Sequence, residues 1–310
     1  MSSGGDLGWP LRRAARRHGE GVAVTDRERS VTYRELAERV AALGAALGEL
    51  SLGPGARVGF LGVNSLAHLE CWLAVPAAGR VLVDLNLRLA EDDLAFMVDD
   101  CELEVLIVDA AELEVARALR RRCASLRTLV LDSPGTCPDD CLPYDRLLAS
   151  EPAELRDGLT EHELATISYT GGTTGRPKGV MLSHGNLLAN ARHNLIATGH
   201  RSSDHWLHVC PMFHVAGTSN IFASTWAGGR HVILPRFDAA AVLDAIEQQT
   251  ITHTVLVPTM LDMLLEALDS GHQRRVESLR HIQYAASPIS SALQARVLER
   301  FDCDIVQFYG

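Results

Sequence analysis

Ile167-Ser168-Tyr169-Thr170-Gly171-Gly172-Thr173-Thr174-Gly175-Arg176-Pro177-Lys178-Gly179-Val180 is the stretch on which the reading of this 310-residue chain turns. Ile167 to Tyr169 read as the end of a buried strand. Residues 170–175 are only glycine and threonine. Gly171, Gly172 and Gly175 allow positive φ and let a ligand approach the backbone closely. Thr170, Thr173 and Thr174 add hydroxyl donors, and Lys178 supplies a positive charge just beyond. Backbone donors, hydroxyls and one ammonium converging on a loop suit a polyphosphate. Two common phosphate loops are excluded by spacing. A Walker A loop needs Gly-Lys-Ser/Thr, but Lys178 lies between Pro177 and Gly179. The G-x-G-x-x-G dinucleotide pattern does not fit residues 171–175 either. A flexible surface loop without a ligand is the bland alternative for the Gly/Thr run taken alone.

Composition sets the frame. The length suits about two domains, and 47% hydrophobic with 22% charged residues excludes global disorder. A net charge of −10 argues against nucleic-acid binding, while a local basic pocket can still hold an anion. Seven scattered cysteines are an odd count and no disulfide framework, and the Cys137/Cys141 pair lacks partners for a zinc site. Reduced thiols place the chain in the cytoplasm. Residues 1–10 carry no apolar signal core, and no apolar run is long enough to span a membrane. The basic cluster Arg12, Arg13, Arg16 and Arg17 reads as a solvated helix face, with membrane-surface contact as the alternative.

Outward from the loop, strand and helix alternate. Helices are expected over 31–50, 66–78, 91–100, 112–122, 237–249, 259–268 and 291–301, and another starts near His184. Thr32 and Glu35 form a capping box for the first, and Ser183 is the N-cap of the helix at His184. Strands are expected over 57–63, 81–84, 105–108, 128–131, 206–210, 231–234, 252–257, 281–285 and 305–308. Residues 144–164 are polar and read as an irregular surface connection. This alternation predicts an α/β fold of open, mostly parallel sheets layered with helices. Ligands then gather at the carboxyl ends of strands. Pro211-Met212-Phe213-His214-Val215-Ala216-Gly217 follows a strand, which puts His214 at such an end. A helix-initiating or hydrogen-bonded core histidine is the alternative. Tyr284-Ala285-Ala286-Ser287-Pro288 and Val306-Gln307-Phe308-Tyr309-Gly310 leave two further strands.

The run from Tyr169 to Val180 resembles the phosphate-binding signature of the AMP-forming acyl-adenylate synthetases, Tyr-Thr-Ser-Gly-Thr-Thr-Gly-x-Pro-Lys-Gly-Val. The superfamily includes acyl-CoA synthetases, luciferases and peptide-synthetase adenylation domains. The one departure is Gly171 for serine, which keeps the backbone donor and loses a hydroxyl. Pro211–His214 resembles the Pro-Met-Phe-His segment of acyl-CoA synthetases, residues 284–288 the family's adenine-binding turn, and Tyr309-Gly310 the start of its Tyr-Gly-x-Thr-Glu motif. Residues 31–36 and 83–89 fit as well, so the resemblance runs in order along nearly the whole chain.

The resemblance implies an N-terminal adenylate-forming core of αβαβα type over 1–310, incomplete at its C-terminus. A first α/β part is expected over roughly 1–150 and a second, with the phosphate loop, over 160–310. The family's small, lysine-bearing C-terminal domain and the Thr and Glu of the last motif lie outside these residues. Implied activity is ATP-dependent conversion of a fatty or aryl acid to acyl-AMP and then, with coenzyme A, to acyl-CoA. Thr170, Gly171, Gly172, Thr173, Thr174, Gly175 and Lys178 would hold ATP together with Ala286, Ser287, Pro288, Tyr309 and Gly310. Thr173 or Thr174 would approach magnesium. Lys178 and His214 would act in catalysis, His214 orienting the carboxylate, with Val215, Ala216 and Gly217 lining the acyl pocket. The absence of an acid beside Phe213 favours substrates without an α-amino group. The chain alone is expected to lack thioester-forming activity. A carrier-protein acceptor, a non-catalytic nucleotide-binding module and a fragment needing its partner domain to fold remain open alternatives.

Overall fold

The computed structural model describes residues 5–50, 52–152, 158–171, 175–271 and 274–308. Strands and helices alternate through it. The first part runs α1 (Trp9–His18), β1 (Val22–Asp26), β2 (Arg29–Thr32), α2 (Tyr33–Glu49), β3 (Arg57–Leu61), α3 (Leu66–Ala77), β4 (Val81–Asp84) and α4 (Glu91–Asp100). Next come β5 (Val105–Asp109), α5 (Leu113–Arg122), β6 (Thr128–Asp132), β7 (Leu142–Pro143), α6 (Tyr144–Leu148), β8 (Leu164–Thr170), β9 (Lys178–Ser183) and α7 (His184–Thr198). The remainder is β10 (His205–His208), α8 (Val215–Thr218), α9 (Ile221–Ala227), β11 (Arg230–Ile233), α10 (Ala239–Gln248), β12 (His253–Leu256), α11 (Pro258–Asp269), β13 (His281–Tyr284), α12 (Ser291–Phe301) and β14 (Asp304–Gln307).

Two seven-stranded sheets form. The first has the order β7-β6-β5-β3-β4-β8-β9 and the second β14-β13-β12-β10-β11-β1-β2. All pairs are parallel except the edge pairs β8–β9 and β1–β2. Side-chain alternation shows why both faces of the first sheet are covered. In β5, Val105 and Ile107 enter one core while Leu106 and Val108 enter another. The core between the sheets also takes Leu11 of α1, Leu36, Val40 and Leu43 of α2, Leu188 of α7 and Phe222 of α9. Helices α4 and α5 cover the outer face of the first sheet, and α10, α11 and α12 that of the second. The result is five layers, α/β/α/β/α.

Helix α3 lies at the centre and is buried at all twelve positions, including His68 and Glu70. Glu70 cannot be left bare there. Arg39 donates to both its oxygens, and the Tyr144 hydroxyl donates to Oε2 at 2.8 Å. Burial pushes the Glu70 pKa up, and Arg39 opposes the rise.

The turn from β3 into α3 locks the sheets together. Asn64, 2% exposed, donates through Nδ2 to the carbonyls of Cys210 at 3.0 Å and Leu234 at 3.2 Å, and its Oδ1 accepts from Met212 N–H at 2.8 Å. Its own N–H reaches the Pro235 carbonyl. Two residues on, Leu66 N–H donates to Asp26 Oδ2 of β1.

Several sequence expectations change. The division near residue 150 does not follow the sheets. Strands β1 and β2 join the second sheet, and β8 and β9, which carry the Gly/Thr loop between them, complete the first. Thus β8 is a penultimate strand, and residues 178–183, expected to lead straight into a helix, form its antiparallel edge partner. The connection over 144–164 is not wholly irregular: α6 buries Tyr144 and Leu147. The arginines of α1 are not a free solvated face, since Arg12 pairs with Asp6 and Arg13 donates to the Trp226 carbonyl. No helix among the described residues is long and apolar enough to cross a membrane.

Asn64→Ala is expected to cost about 3 kcal/mol, because it strands three buried backbone groups at once. Urea denaturation of parent and variant measures this. A loss below about 1 kcal/mol would mean the bridge contributes no more than one ordinary hydrogen bond.

Candidate active site

The Gly/Thr loop sits at the carboxyl end of β8. Its two stems face each other, with Thr170 opposite Lys178, and the Thr170 hydroxyl donates to the Lys178 carbonyl at 3.5 Å. Helix α4 anchors the base. Tyr169 donates its hydroxyl to Asp100 Oδ2 at 2.6 Å, and the Arg176 guanidinium lies 5.0 Å from the Phe96 ring centre. Gly171, Gly175 and Lys178 are exposed. A Cβ added at Gly171 or Gly175 would meet nothing within 4 Å. Gly172, Thr173 and Thr174 lie outside the described residues, as do Tyr309 and Gly310.

The neighbouring strand β4 ends in a turn held by Asn86, whose Oδ1 accepts from Arg88 N–H at 3.0 Å. Arg88 thereby reaches across to the second sheet. Its guanidinium lies 5.8 Å from the ring centre of Phe213, and that ring meets the His214 imidazole edge-on at 4.8 Å. His214 is the N-cap of the short helix α8. Desolvation lowers its pKa below the ordinary value, and the positive charge of Arg88 lowers it further. A neutral imidazole, which has one N–H donor and one acceptor, results at neutral pH.

The expected pocket residues separate. Val215 is 69% exposed. Ala216 packs toward Trp206, Cys210 and Val255. Gly217 is buried in the turn, and a Cβ there would lie 2.1 Å from the Pro211 carbonyl oxygen. Its need for glycine is therefore set by chain packing. Ala286, Ser287 and Pro288 are exposed beyond the carboxyl end of β13, which is separated from β10 by β12. Ala286 holds φ at 74°, a left-handed conformation that costs a non-glycine residue about 1–2 kcal/mol. Among the described residues no hydrogen bond links this turn to His214, Thr170 or Lys178. They share the carboxyl edges of the strands rather than direct contacts.

Arg88 and Asn64 are the residues sequence reading did not single out. Arg88 lies within the segment 83–89 that carried a resemblance, so a cation just past a strand end was an available signal. Asn64 acts through partners 146 and 170 positions away, and no local pattern marks it. The assembled edge offers three exposed cations, Arg88, Arg176 and Lys178, a neutral imidazole and a threonine- and glycine-rich loop. Such a set can hold an anion and orient a second one beside it.

Known proteins match the chain in sequence and in fold. The family described as "AMP-binding enzyme" matches residues 11–310. A feruloyl-CoA synthase of Amycolatopsis sp is 36% identical over 303 residues, which are 97% of this chain and 58% of that protein. A long-chain-fatty-acid–CoA ligase of Thermus thermophilus is 33% identical over 97% of this chain and 56% of its own length. The chain thus spans less than two thirds of these relatives. The fold matches the N-terminal domain of FACL13 from Mycobacterium tuberculosis, with a TM-score of 0.90 at 24% identity over 99% of this chain and 76% of that one. It also matches an anthranilate CoA ligase, AuaEII, solved with anthranoyl-AMP, with a TM-score of 0.91 at 24% identity over 97% of this chain and 58% of that one.

Arg88→Ala removes a charge that depresses the His214 pKa, so the imidazole should titrate at higher pH in the variant. Arg88→Lys, which keeps the charge, should move it less. Proton NMR titration of the His214 ring reads both, and an unchanged midpoint in Arg88→Ala would break the link between the two sheets' edges.

Proposed function

The chain belongs to the AMP-binding enzyme family, and on that premise we propose that it serves the ATP-dependent activation of a carboxylic acid to a CoA thioester. In the first step a carboxylate oxygen attacks the α-phosphorus of ATP and pyrophosphate leaves. In the second, the thiol sulfur of coenzyme A attacks the acyl carbonyl, AMP leaves, and the thiol proton passes to solvent. Attack of one anion on another demands charge neutralisation more than a protein nucleophile.

The observation that carries the proposal is the meeting of the two sheets' carboxyl edges at Arg88, Phe213 and His214, with the β8–β9 loop leaving the strand beside β4. In this reading residues 170–175 and Lys178 take the phosphates, and the turn 286–288 with Tyr309 and Gly310 takes the adenine side. The neutral imidazole of His214 donates its N–H to one carboxylate oxygen and leaves the other free to attack. Arg88 adds positive charge on the far side of Phe213. Magnesium accompanies ATP in such chemistry. Its expected neighbours, Thr173 and Thr174, lie outside the described residues.

Residues 211–217 contain no carboxylate to pair with a substrate ammonium. This favours a fatty or aryl acid over an amino acid. The names of relatives include both an aryl-type and a long-chain acid ligase, and the class is left at a hydrophobic carboxylic acid. Seven free cysteines suit a reducing, cytoplasmic location.

Open space at Gly175 makes a clean test. Gly175→Val should leave thermal stability unchanged yet weaken ATP binding, measured by calorimetry, about tenfold or more, equivalent to about 1.4 kcal/mol. Undiminished affinity would remove the loop from the phosphate site. A panel of fatty, aryl and amino acids assayed by pyrophosphate release should show no preference for amino acids. Acyl-CoA formation by the 310 residues alone is expected to fall below detection, and robust turnover would assign every required group to this span.

A further inference from the structure

The opposite, amino-terminal edge of the second sheet carries a cluster that the reaction does not use. Helix α7 ends at Gly199, in the left-handed conformation, and the chain turns to present His200. Asp204 precedes β10, His253 opens β12 and His281 opens β13. Parallel register sets His253 beside both Trp206 and His281. The Nε2 or Nδ1 atoms of His200 and His253 and a carboxylate oxygen of Asp204 lie within 4.8 Å of one another. A cavity of about 180 Å³ opens here, lined by Asp204, His253 and His281 among others.

A threonine hydroxyl meets Nδ1 of both His200 and His253. The Thr198 hydroxyl donates to the Asn194 carbonyl at 2.7 Å, so it accepts from His200 Nδ1–H at 2.8 Å. The Thr252 hydroxyl accepts from His205 N–H at 2.9 Å, lies 3.3 Å from the His205 carbonyl and meets His253 Nδ1 at 2.8 Å. His200 Nε2 is then an acceptor, and so is His253 Nε2 in the tautomer whose Nδ1–H meets Thr252. His200 Nε2 is buried without a partner, and His253 Nε2 is 3.8 Å from Asp204 Oδ2, too far for a hydrogen bond. His281, 6% exposed, lines the same cavity, and its Nε2 also lacks a partner. Asp204 is held from behind. Arg280 donates to Oδ1, and Arg201 N–H donates to Oδ2 at 2.7 Å.

One ring nitrogen each of His200 and His253 and a carboxylate oxygen are thus gathered beside the cavity, with Asp204 braced by Arg280 and the Arg201 N–H. Imidazoles that each meet a hydroxyl at Nδ1 match the way metal-binding histidines are oriented.

We propose that His200, Asp204 and His253 bind a divalent transition-metal ion of the zinc class, with His281 or a water in the cavity completing the coordination. Two nitrogens and one oxygen suit zinc, whose bonds of roughly 2.0–2.2 Å would draw the three side chains inward. Calcium and magnesium, which prefer all-oxygen shells, would not compete. The ion would tie the loop after α7 to the starts of β10 and β12, at the end of the sheet away from His214.

The test uses the 310-residue chain after chelator treatment. Calorimetry with zinc(II) should show one equivalent bound and a raised melting temperature. That equivalent should vanish in both His200→Gln and His253→Gln but persist in His193→Gln, which alters an exposed histidine of α7. Cobalt(II) provides a reading on the parent protein should either variant fail to fold. A tetrahedral cobalt absorption with quenching of Trp206, whose ring lies 5.1 Å from His200 and 5.8 Å from His253, would support the site. No one-equivalent binding by the parent, absence of the cobalt band, or binding unchanged in both folded variants would overturn it.

Discussion

The amide of Asn64 is the constraint on which the arrangement of both sheets depends. One short side chain satisfies three backbone groups on two separate connections of the second sheet, while standing at the carboxyl end of a first-sheet strand. Buried backbone groups need partners, and these strand-end loops cannot supply them to each other. With Leu66 bonded to Asp26 two residues later, the entry to α3 becomes a corner shared by both sheets. The helix that starts there is buried on all sides and needs a sheet on each.

That corner also explains how a site is shared between sheets. It sets the ends of β3 and β10 against each other, so Arg88, one strand over from Asn64, faces Phe213 and His214. Charge placement follows the same division. The cations Arg88 and Lys178 stay exposed at the carboxyl edges, while the carboxylate of Glu70 is buried in the middle layer and matched by Arg39 and Tyr144. The left-handed Ala286 is a local cost at the same edge, of the kind that persists where surrounding structure over-determines the backbone.

What the sequence made legible was local. The capping box of Thr32 with Glu35 and the N-cap Ser183 form where the sequence places them, Asn186 adding a second bond at the latter. Apolar runs such as 81–84 and 105–108 are strands because both their faces are covered. Strand β9 escaped notice because it is an edge. Its Val180 and Met181 remain exposed, so no burial pattern marks it, and only pairing with β8 makes it a strand. Tyr144 escaped because its polar neighbours suggested surface, whereas its hydroxyl is satisfied by a buried carboxylate 74 positions away. The Gly/Thr loop was legible as chemistry because composition alone limits what such a segment can do. The approach of Arg88 to Phe213 was not, since it depends on how two sheets are set against each other.

The pairing of β1 with β11 has a consequence for how the molecule is made. Val24 and His231 are register partners, so the first strand pair of the chain must wait for a neighbour roughly 200 residues downstream, about 10–40 s later at ordinary rates of synthesis. During that interval β1 and β2 have only each other, and a two-stranded ribbon is marginal in water. The first sheet can assemble in the meantime through β3 to β6, whose connections are short. Helix α3, however, would present one apolar side to solvent or to a chaperone until β10 and β11 emerge. The order in which the ribosome releases these segments therefore makes the nascent chain most vulnerable between the completion of its first sheet and the arrival of residue 233.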